Sequence, residues 1–593
     1  MDGSSSSTYG ESHEKPQVNG LNGLTNGSPR FHYANHHLGQ GRSLRIIMVG
    51  AGVSGIAAVK LYKDMFPERD IQLVLYEKNA DVTGTWLENR YPGCACDVPA
   101  HAYTYSWEGN PRWSRAYVGS LELFDYFKSR AVAYGVSEFV KLNHKVTSAT
   151  WNERKGKWEV EITNLENNTT VQDEGEIFIN GTGFLNNWKW PDIPGLHDFQ
   201  GKLLHSASWD DSYDFQDKTV AIIGSGSSAI QIVPQLQPKV KHMTSINRSK
   251  TWITPEFAAE FAPEGRTAFF SEIQKSGWVK DKDGFLKYRK QVESAMNKFF
   301  TMQYKDSELQ KTAFENFTKT MKERLNHRED LISKIVPEFE VGCRRVTPGH
   351  GYLEALASHN VTVRNDEIVA VVPQGLKMKD GSIVEVEALI CATGFDTSFK
   401  PAFPVLGYDK QDLRDLWKSE PKSYLSVTAA GMPNYFIISG PNFPLANGSL
   451  IPCLEANIKF AFTAAKKIAY AGIKSLAPCQ GAVDDFQEYK DSLMEDLVWT
   501  GSCASWYKNG QKDGKVWGPW PGSSLHYLEL MASPRWEDFD IKYLTANRFS
   551  FLGDGRAKLE DEEGADLAYY LKEPGATTSV VMGEGPNSSK GMV

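Results

Sequence analysis

Two glycine-rich hexapeptides carry the plainest chemistry in this chain. Gly50-Ala51-Gly52-Val53-Ser54-Gly55 and Gly224-Ser225-Gly226-Ser227-Ser228-Ala229 both fit the pattern G-x-G-x-x-G/A. In that pattern the first glycine makes a tight turn. The second lets the backbone approach a pyrophosphate, and the third position lets a helix pack closely on a strand. The helix that follows turns its free N–H groups and the positive end of its dipole toward phosphate oxygens. Two such sites imply two bound dinucleotides. The residues one strand further on separate them. Glu77 follows IQLVLY and is placed to accept hydrogen bonds from a ribose hydroxyl. The matching place in the second unit reads Asn247-Arg248-Ser249-Lys250 and holds no acid. An acid there repels a 2′-phosphate and an arginine accommodates one, so the second site is expected to prefer NADPH.

Cysteines offer less. Cys94-Ala95-Cys96 is a C-x-C spacing, which leaves the sulfurs poorly placed for a relaxed disulfide, so packing is the expected role. Seven cysteines are an odd and sparse set. They suit a reducing compartment and no disulfide framework. No Cys/His set has metal-ligand spacing, so no metal is expected.

These residues need elements to hold them. LRIIMV, from Leu44, runs straight into Gly50 and reads as a buried parallel strand. IAAVKLYKDMF reads as the helix after it, with Pro67 just beyond, and IQLVLYEK as the next strand. Residues 44–78 are thus a β-α-β unit. KTVAIIGSGSSAIQIVPQL and VKHMTSINRS repeat it from Lys218. Between about 258 and 337 the pattern becomes helical, with Phe285, Tyr288, Val292, Met296 and Phe299 in step, then Phe314, Phe317, Met321 and Leu325. VTVRNDEIVAVV and GSIVEVEALICATGFD return to strand. The fold class is α/β: two Rossmann-like dinucleotide-binding domains with a helical insertion. The expected boundaries are an arm over 1–43, the first part of one domain over 44–212, the second domain over 213–390, the rest of the first domain with mobile loops over 391–572, and a tail over 573–593.

Composition narrows the class. A net charge of −8 builds no broad basic surface, which argues against nucleic acid. No apolar run reaches the length of a membrane span. The start, MDGSSSSTYGESHEK, lacks the apolar core of a secretory signal, so a cytoplasmic location is expected. The first forty or so residues and EPGATTSVVMGEGPNSSKGMV carry too little apolar surface to offset the entropy of ordering, and are expected to be disordered. Oligomeric state is not legible.

Between the two hexapeptides stands Phe199-Gln200-Gly201-Lys202-Leu203-Leu204-His205-Ser206-Ala207-Ser208-Trp209-Asp210. It matches F-x-G-x-x-x-H-x-x-x-W-(P/D) and resembles the signature of Baeyer–Villiger monooxygenases, within the class B flavin monooxygenases. Gly84-Thr85-Trp86-Leu87-Glu88-Asn89-Arg90-Tyr91-Pro92-Gly93-Cys94-Ala95-Cys96-Asp97 resembles the family's second signature. The likeness spans about residues 44–535. CDVPAHAYTYSW, GCRRVTPGHGYLEAL and WPGSSLHYLELM look most like fungal members of secondary-metabolite pathways.

That resemblance implies FAD on Gly50, Gly52, Gly55 and Glu77, with Thr85, Trp86, Leu87, Glu88, Asp97, Val98 and Tyr103 near the flavin. It implies NADP(H) on Gly224, Ser225, Gly226, Ser227, Ser228, Ala229, Arg248, Ser249 and Arg344. The family's active-site arginine follows a basic residue, so Arg345 of the Arg344-Arg345 pair is the candidate, and Arg344 replaces a usual lysine. Asp97 would hold Arg345. The chemistry implied is insertion of one atom of dioxygen beside a ketone to give an ester or lactone. The attacking oxygen must stay anionic, and an arginine that keeps its proton stabilises it. His205 and Trp209, with Phe199, Gly201 and Asp210, are expected to act as a hinge or latch, not as an acid–base pair. Thr182-Gly183 and Thr393-Gly394 are expected to link domains, Trp506 to lie on a mobile loop over NADP, and Asn442 to Asn447 to line the substrate pocket. Trp517 and Trp520 fit either pocket wall or core. Two alternatives remain at this stage: oxygenation of nitrogen, sulfur or an aromatic carbon, and a non-catalytic flavoprotein.

Overall fold

The computed structural model describes residues 32–67 and 70–571. The expected disorder of the termini falls largely outside them. The part of the expected arm that is described is not free. Leu38 donates its N–H to Arg556 O, and Asp554 donates to His36 O, so backbone pairing orders the end of the arm within the unit formed by its residues up to 40 and those from 545 on. Residues 41–544 form the other unit.

Two five-stranded parallel sheets dominate the larger unit. Each is built where an apolar strand feeds a glycine turn. In the first, the strand Leu44–Val49 sits at the centre, between Ile177–Asn180 and Ile71–Tyr76. Val140–Lys141 and Tyr435–Ile437 complete the edges. The residues of the central strand from Ile46 to Met48 are fully buried, as a strand covered on both faces requires. Helix Val53–Met65 follows the turn and packs on the 21-residue helix Leu450–Tyr470.

The second sheet has the order Val361–Arg364, His242–Ile246, Thr219–Ile223, Ala388–Cys391, Lys202–His205. Lys202–His205, expected to end the first domain, pairs parallel with Ala388–Cys391 in the second sheet. Pairing across almost 190 residues leaves no trace in local pattern. A four-stranded sheet of His144–Asn152, Lys157–Asn164, Thr169–Gly175 and Val405–Leu406 covers the first domain, and the residues it buries, Trp151, Trp158 and Ile162, alternate as a half-buried strand should.

The insertion is helical: Glu272–Lys280, Lys282–Lys298, Glu308–Arg324 and Glu329–Ile335. It is pinned onto the segment after Asp97. Arg289 donates to Thr104 Oγ1 and Tyr105 O. Phe270, Trp278, Phe285 and Tyr288 surround the His101 ring edge-on, with centroids 4.9–5.7 Å away. Burial, with Arg289 beside it, pushes the imidazole down to about 3. The unfolded chain takes up that proton near pH 6.5 and the native state does not. Stability therefore holds above 6.5 and falls as pH drops toward 3, by roughly 1.4 kcal/mol per pH unit from this group. Urea midpoints of His101→Phe are expected to fall less steeply between pH 6.5 and 4.5 than those of the parent. Parallel slopes would remove His101 from the acid limb.

No helix among the described residues is long and apolar enough to cross a membrane.

Candidate active site

The first glycine turn is shaped by close backbone approach. Gly50 has φ of 99° and lies under Gly181 O. Gly52 is the N-cap of helix Val53–Met65 and has no side chain to cap it, so the first N–H groups are left for phosphate oxygens. Segment 83–88 packs directly on this turn, with Thr83 donating its N–H to Ala51 O. The buried Thr83 hydroxyl has no hydrogen-bond partner among the described residues. Glu77 sits at the strand end, where burial pushes its carboxyl up. Its oxygens accept the N–H groups of Ala51 at 2.8 Å and Asn79 at 2.9 Å, which oppose that shift. It lines a cavity of about 290 Å³ together with Gly50, Lys78, Val146, Thr182 and Asn186. A carboxylate with lone pairs to spare and a glycine turn on one cavity, with an uncapped helix end following that turn, fit the adenosine diphosphate half of FAD. Trp86 and Tyr103 meet edge-on at 5.6 Å. Glu88 has other duties: it binds Lys78 at 3.1 Å and accepts from Asn79. Leu87 contributes its carbonyl to Arg90.

The second turn repeats the geometry. Gly224 has φ of 129°, and Gly226 caps helix Ser227–Leu236 without a side chain. Ser228 and the buried Ala229 lie in that helix's first turn. Ser225 Oγ donates to Ser249 O at 2.8 Å, which closes the loop toward Arg248. Arg344 donates to Lys250 O at 2.9 Å. Burial lowers the Arg344 pKa, and the charge of Arg248 lowers it further. Two guanidinium groups close enough to repel, beside an uncapped helix, fit a 2′-phosphorylated dinucleotide. Arg248→Ala is expected to cut kcat/KM for NADPH by about 10- to 100-fold, the worth of one charged hydrogen bond, and to leave NADH nearly unchanged. Steady-state kinetics with both nucleotides check this. An equal loss for both would mean that Arg248 does not read the phosphate.

The pair expected from the resemblance forms in the structure. Arg345 Nη1 donates to Asp97 Oδ2 at 2.5 Å, and Nη2 donates to Oδ1 at 3.1 Å. Nη1 also reaches Val346 O. The two residues stand 248 positions apart, so this contact joins the two halves of the protein. Burial pulls the guanidinium pKa down, but Asp97 outweighs it and holds the group above its ordinary value. Nε and one Nη2 hydrogen keep no partner among the described residues, and a third of the side chain is open. Val98, half-buried, follows Asp97 directly.

The signature strand ends at His205, which is fully buried. Its ring stacks on Trp188 at 4.4 Å and stands edge-on to Trp190. Nε2 pairs with Thr393 Oγ1 at 3.2 Å and Nδ1 accepts the Ala207 N–H. Burial pushes it down to about 4, so it is a neutral linker between the signature and the Thr393-Gly394 turn. Gly201 packs on Phe199 and Glu387 O, Trp209 stacks on Phe215, and Asp210 pairs with Lys202. None of these side chains meets Arg345.

Two features escaped sequence reasoning, a disulfide and Tyr507 beside the ion pair. Cys343 and Cys503 form a disulfide. This corrects the expectation of a chain without one: the bond spans 160 residues and only the fold brings its ends together. Cys94 and Cys96 are buried free thiols. Tyr507, buried, lies near Arg345 and Asp97, and burial pushes it up to about 12. Trp506 packs against Tyr507 and stacks on Phe184 at 5.8 Å. The only local signal was position: each cysteine stands two or three residues before Arg345 or Trp506. Asn442 and Asn447 are buried, the first bonded to Pro519 O and the second to Asn297 O. Trp520 is core, stacked on Phe486.

Residues 43–265 match the family described as flavin-binding monooxygenase-like. The FAD-binding monooxygenase tazF of Aspergillus terreus is 39% identical over 534 residues, covering 89% of this chain and 95% of that relative. The FAD-binding monooxygenase stcW of Emericella nidulans is 36% identical over 89% of this chain and 88% of its own. A Baeyer–Villiger monooxygenase of Pseudomonas aeruginosa is 32% identical over 82% and 90%. Among solved structures, cyclohexanone monooxygenase from Rhodococcus sp. Phi1 bound to NADP+ superposes with a TM-score of 0.73 at 23% identity, over 85% of this chain and all of that one, which shows a shared fold. With the site geometry in place and identity sustained over nearly the whole of these relatives, the chain belongs to the flavin-binding monooxygenases, in the group that joins fungal FAD-binding monooxygenases to bacterial Baeyer–Villiger monooxygenases.

Proposed function

We propose that the substrate is a functionalised ketone of natural-product size, and that Arg345 and Asp97 act on the reacting atoms. The enzyme is an FAD- and NADPH-dependent monooxygenase of the Baeyer–Villiger type. The two uncapped helix ends hold the pyrophosphates of FAD and NADP(H), Glu77 takes the FAD ribose, and Arg248 with Arg344 takes the 2′-phosphate. When bound, NADPH supplies a hydride, and the flavin once reduced activates dioxygen. Arg345 then meets the negative charge that first resides on the attacking oxygen and next develops on the former carbonyl oxygen. Asp97 grips the guanidinium through two bonds, so the cation needs no reorganisation as charge moves. The single observation that carries this reading is that grip, with donors of Arg345 left over. A fixed cation favours an anionic, nucleophilic oxygen over the protonated one that nitrogen or sulfur oxidation requires.

The test mixes the flavin-loaded protein with NADPH without oxygen, then admits air with cyclic and polycyclic ketones, with sulfides in parallel. Bleaching of the flavin followed by esters one oxygen heavier supports the reading. Sulfoxides without esters would favour electrophilic oxygenation. A yellow, folded protein that leaves NADPH untouched would remove the catalytic reading altogether.

A further inference from the structure

The loop over residues 501–520 carries Trp506 and Tyr507, and its two halves are held differently. From Ser502 to Gly514 every hydrogen bond among the described residues stays within the loop. Ser505 N–H goes to Gln511 O, Gly510 N–H to Ser505 O, and Lys508 Nζ to Gly501 O and Lys512 O. Ser502 Oγ meets Asp513. The returning half is tied down. Asn442 donates to Trp517 O, Phe443 to Gly518 O, and Trp520 to Phe443 O, while Lys515 pairs with Asp491. The Tyr507 carbonyl accepts the N–H groups of Trp517 and Gly518 on that returning half, so Trp506 and Tyr507 are held by these two bonds, by packing and by one covalent tie at the loop's entrance. That tie is the Cys343–Cys503 disulfide, whose cysteines are 0% and 3% exposed. It joins the segment that ends in Arg344-Arg345 to the segment that leads into Trp506-Tyr507. Tyr507 lies near enough to Arg345 and Asp97 to feel both charges.

We propose that the Cys343–Cys503 disulfide is the positioning bond that holds Trp506 and Tyr507 over the Arg345–Asp97 pair, and that a dithiol reductant, by opening it, uncouples NADPH oxidation from oxygen insertion. The inference rests on the function proposed above. Opening breaks the S–S bond and makes two thiols. The dithiol supplies two electrons and two protons and closes to its own disulfide. With the loop held, NADPH, a proton, dioxygen and ketone give NADP+, water and ester. With the loop loose, water reaches the site, and NADPH, a proton and dioxygen give NADP+ and hydrogen peroxide. Local opening of residues 502–514 breaks only hydrogen bonds made within the loop, so the reductant gains access without global unfolding.

The experiment uses the full-length, flavin-loaded enzyme with a ketone it converts. The denatured protein is expected to titrate five thiols before dithiothreitol and seven after it, from five free cysteines and one bonded pair. Dithiothreitol has no other disulfide among the described cysteines to act on. Peroxide formed per NADPH is expected to rise at least about fivefold on reduction, while flavin content and the anaerobic rate of flavin reduction stay unchanged. Reoxidation should restore coupling. The double variant Cys343→Ser, Cys503→Ser should leak without reductant and ignore it. Seven thiols at the start, or a peroxide share that reduction leaves alone, overturns the proposal. If the double variant does not fold, the comparison of oxidised and reduced parent still decides. Failure of NADPH to bleach the flavin, or absence of ester from the oxidised enzyme, would count against the proposed function instead.

Discussion

Arg345→Ala is expected to lower the rate of ester formation by about 10²- to 10³-fold, the cost of losing a preorganised donor to a developing oxyanion. NADPH should still bleach the flavin, because this side chain hydrogen-bonds to neither glycine turn, and the electrons should leave as hydrogen peroxide. The loss is set by two features. The guanidinium is fixed by Asp97 at 2.5 and 3.1 Å, and Asp97 holds its proton on. Removing Arg345 also leaves Asp97 as a partly buried charge without its partner, which adds repulsion where negative charge must build. Arg345→Lys separates these effects. It keeps the charge but lacks the two-pronged geometry, so a partial recovery is expected. Rapid-mixing measurement of flavin reduction beside product analysis checks both variants. Ester formation within about fivefold of the parent in Arg345→Ala would mean that the cation is not part of the oxygen-transfer step. Loss of flavin reduction as well would mean that Arg345 serves hydride transfer or folding.

What the sequence reveals here is whatever is local. A run of apolar residues entering Gly50 or Gly224 carries strand, turn and helix in twelve residues, and both sheets grow from those points. The place of Arg248 just past a strand end was legible for the same reason, since the start of that strand is recognisable. The Arg345–Asp97 pair was not legible from spacing, because 248 residues separate two unremarkable side chains. It followed from the resemblance alone. That Lys202–His205 belongs to the second sheet was not legible, because nothing local marks its neighbour 186 residues on. An odd count of seven cysteines argues against a framework of disulfides and is silent about a single bond across 160 residues. The rings around His101 are spaced for two helices, and nothing in the periodicity says that both faces converge on one imidazole.

The glycines of the first turn allow a sharper test, because their roles divide. Gly50→Ala is expected to lose flavin and to unfold at lower denaturant by roughly 3 kcal/mol. Its φ of 99° is one that a side chain adopts at a cost of about 1–2 kcal/mol. An added Cβ would also lie 2.5 Å from Gly181 O, a backbone atom held in place by the Gly181 N–H bond to Val49 O. That carbonyl cannot retreat without breaking the central strand pairing, so strain of about 1–3 kcal/mol adds to the dihedral cost. Gly52→Ala meets neither obstacle. Its φ is −70°, and the added Cβ would sit 3.5 Å from Gly84 Cα, an ordinary contact. It should fold as well as the parent and lose flavin affinity only, since the methyl group stands where the backbone must approach a pyrophosphate. Denaturation midpoints and bound flavin, measured on the same samples, separate the two. If Gly52→Ala destabilised the apo-protein as much as Gly50→Ala, the turn would be serving the fold alone. If both variants kept their flavin, the phosphate-cradling role of this hexapeptide would be wrong, and the cavity beside Glu77 would have to bind its ligand from another side.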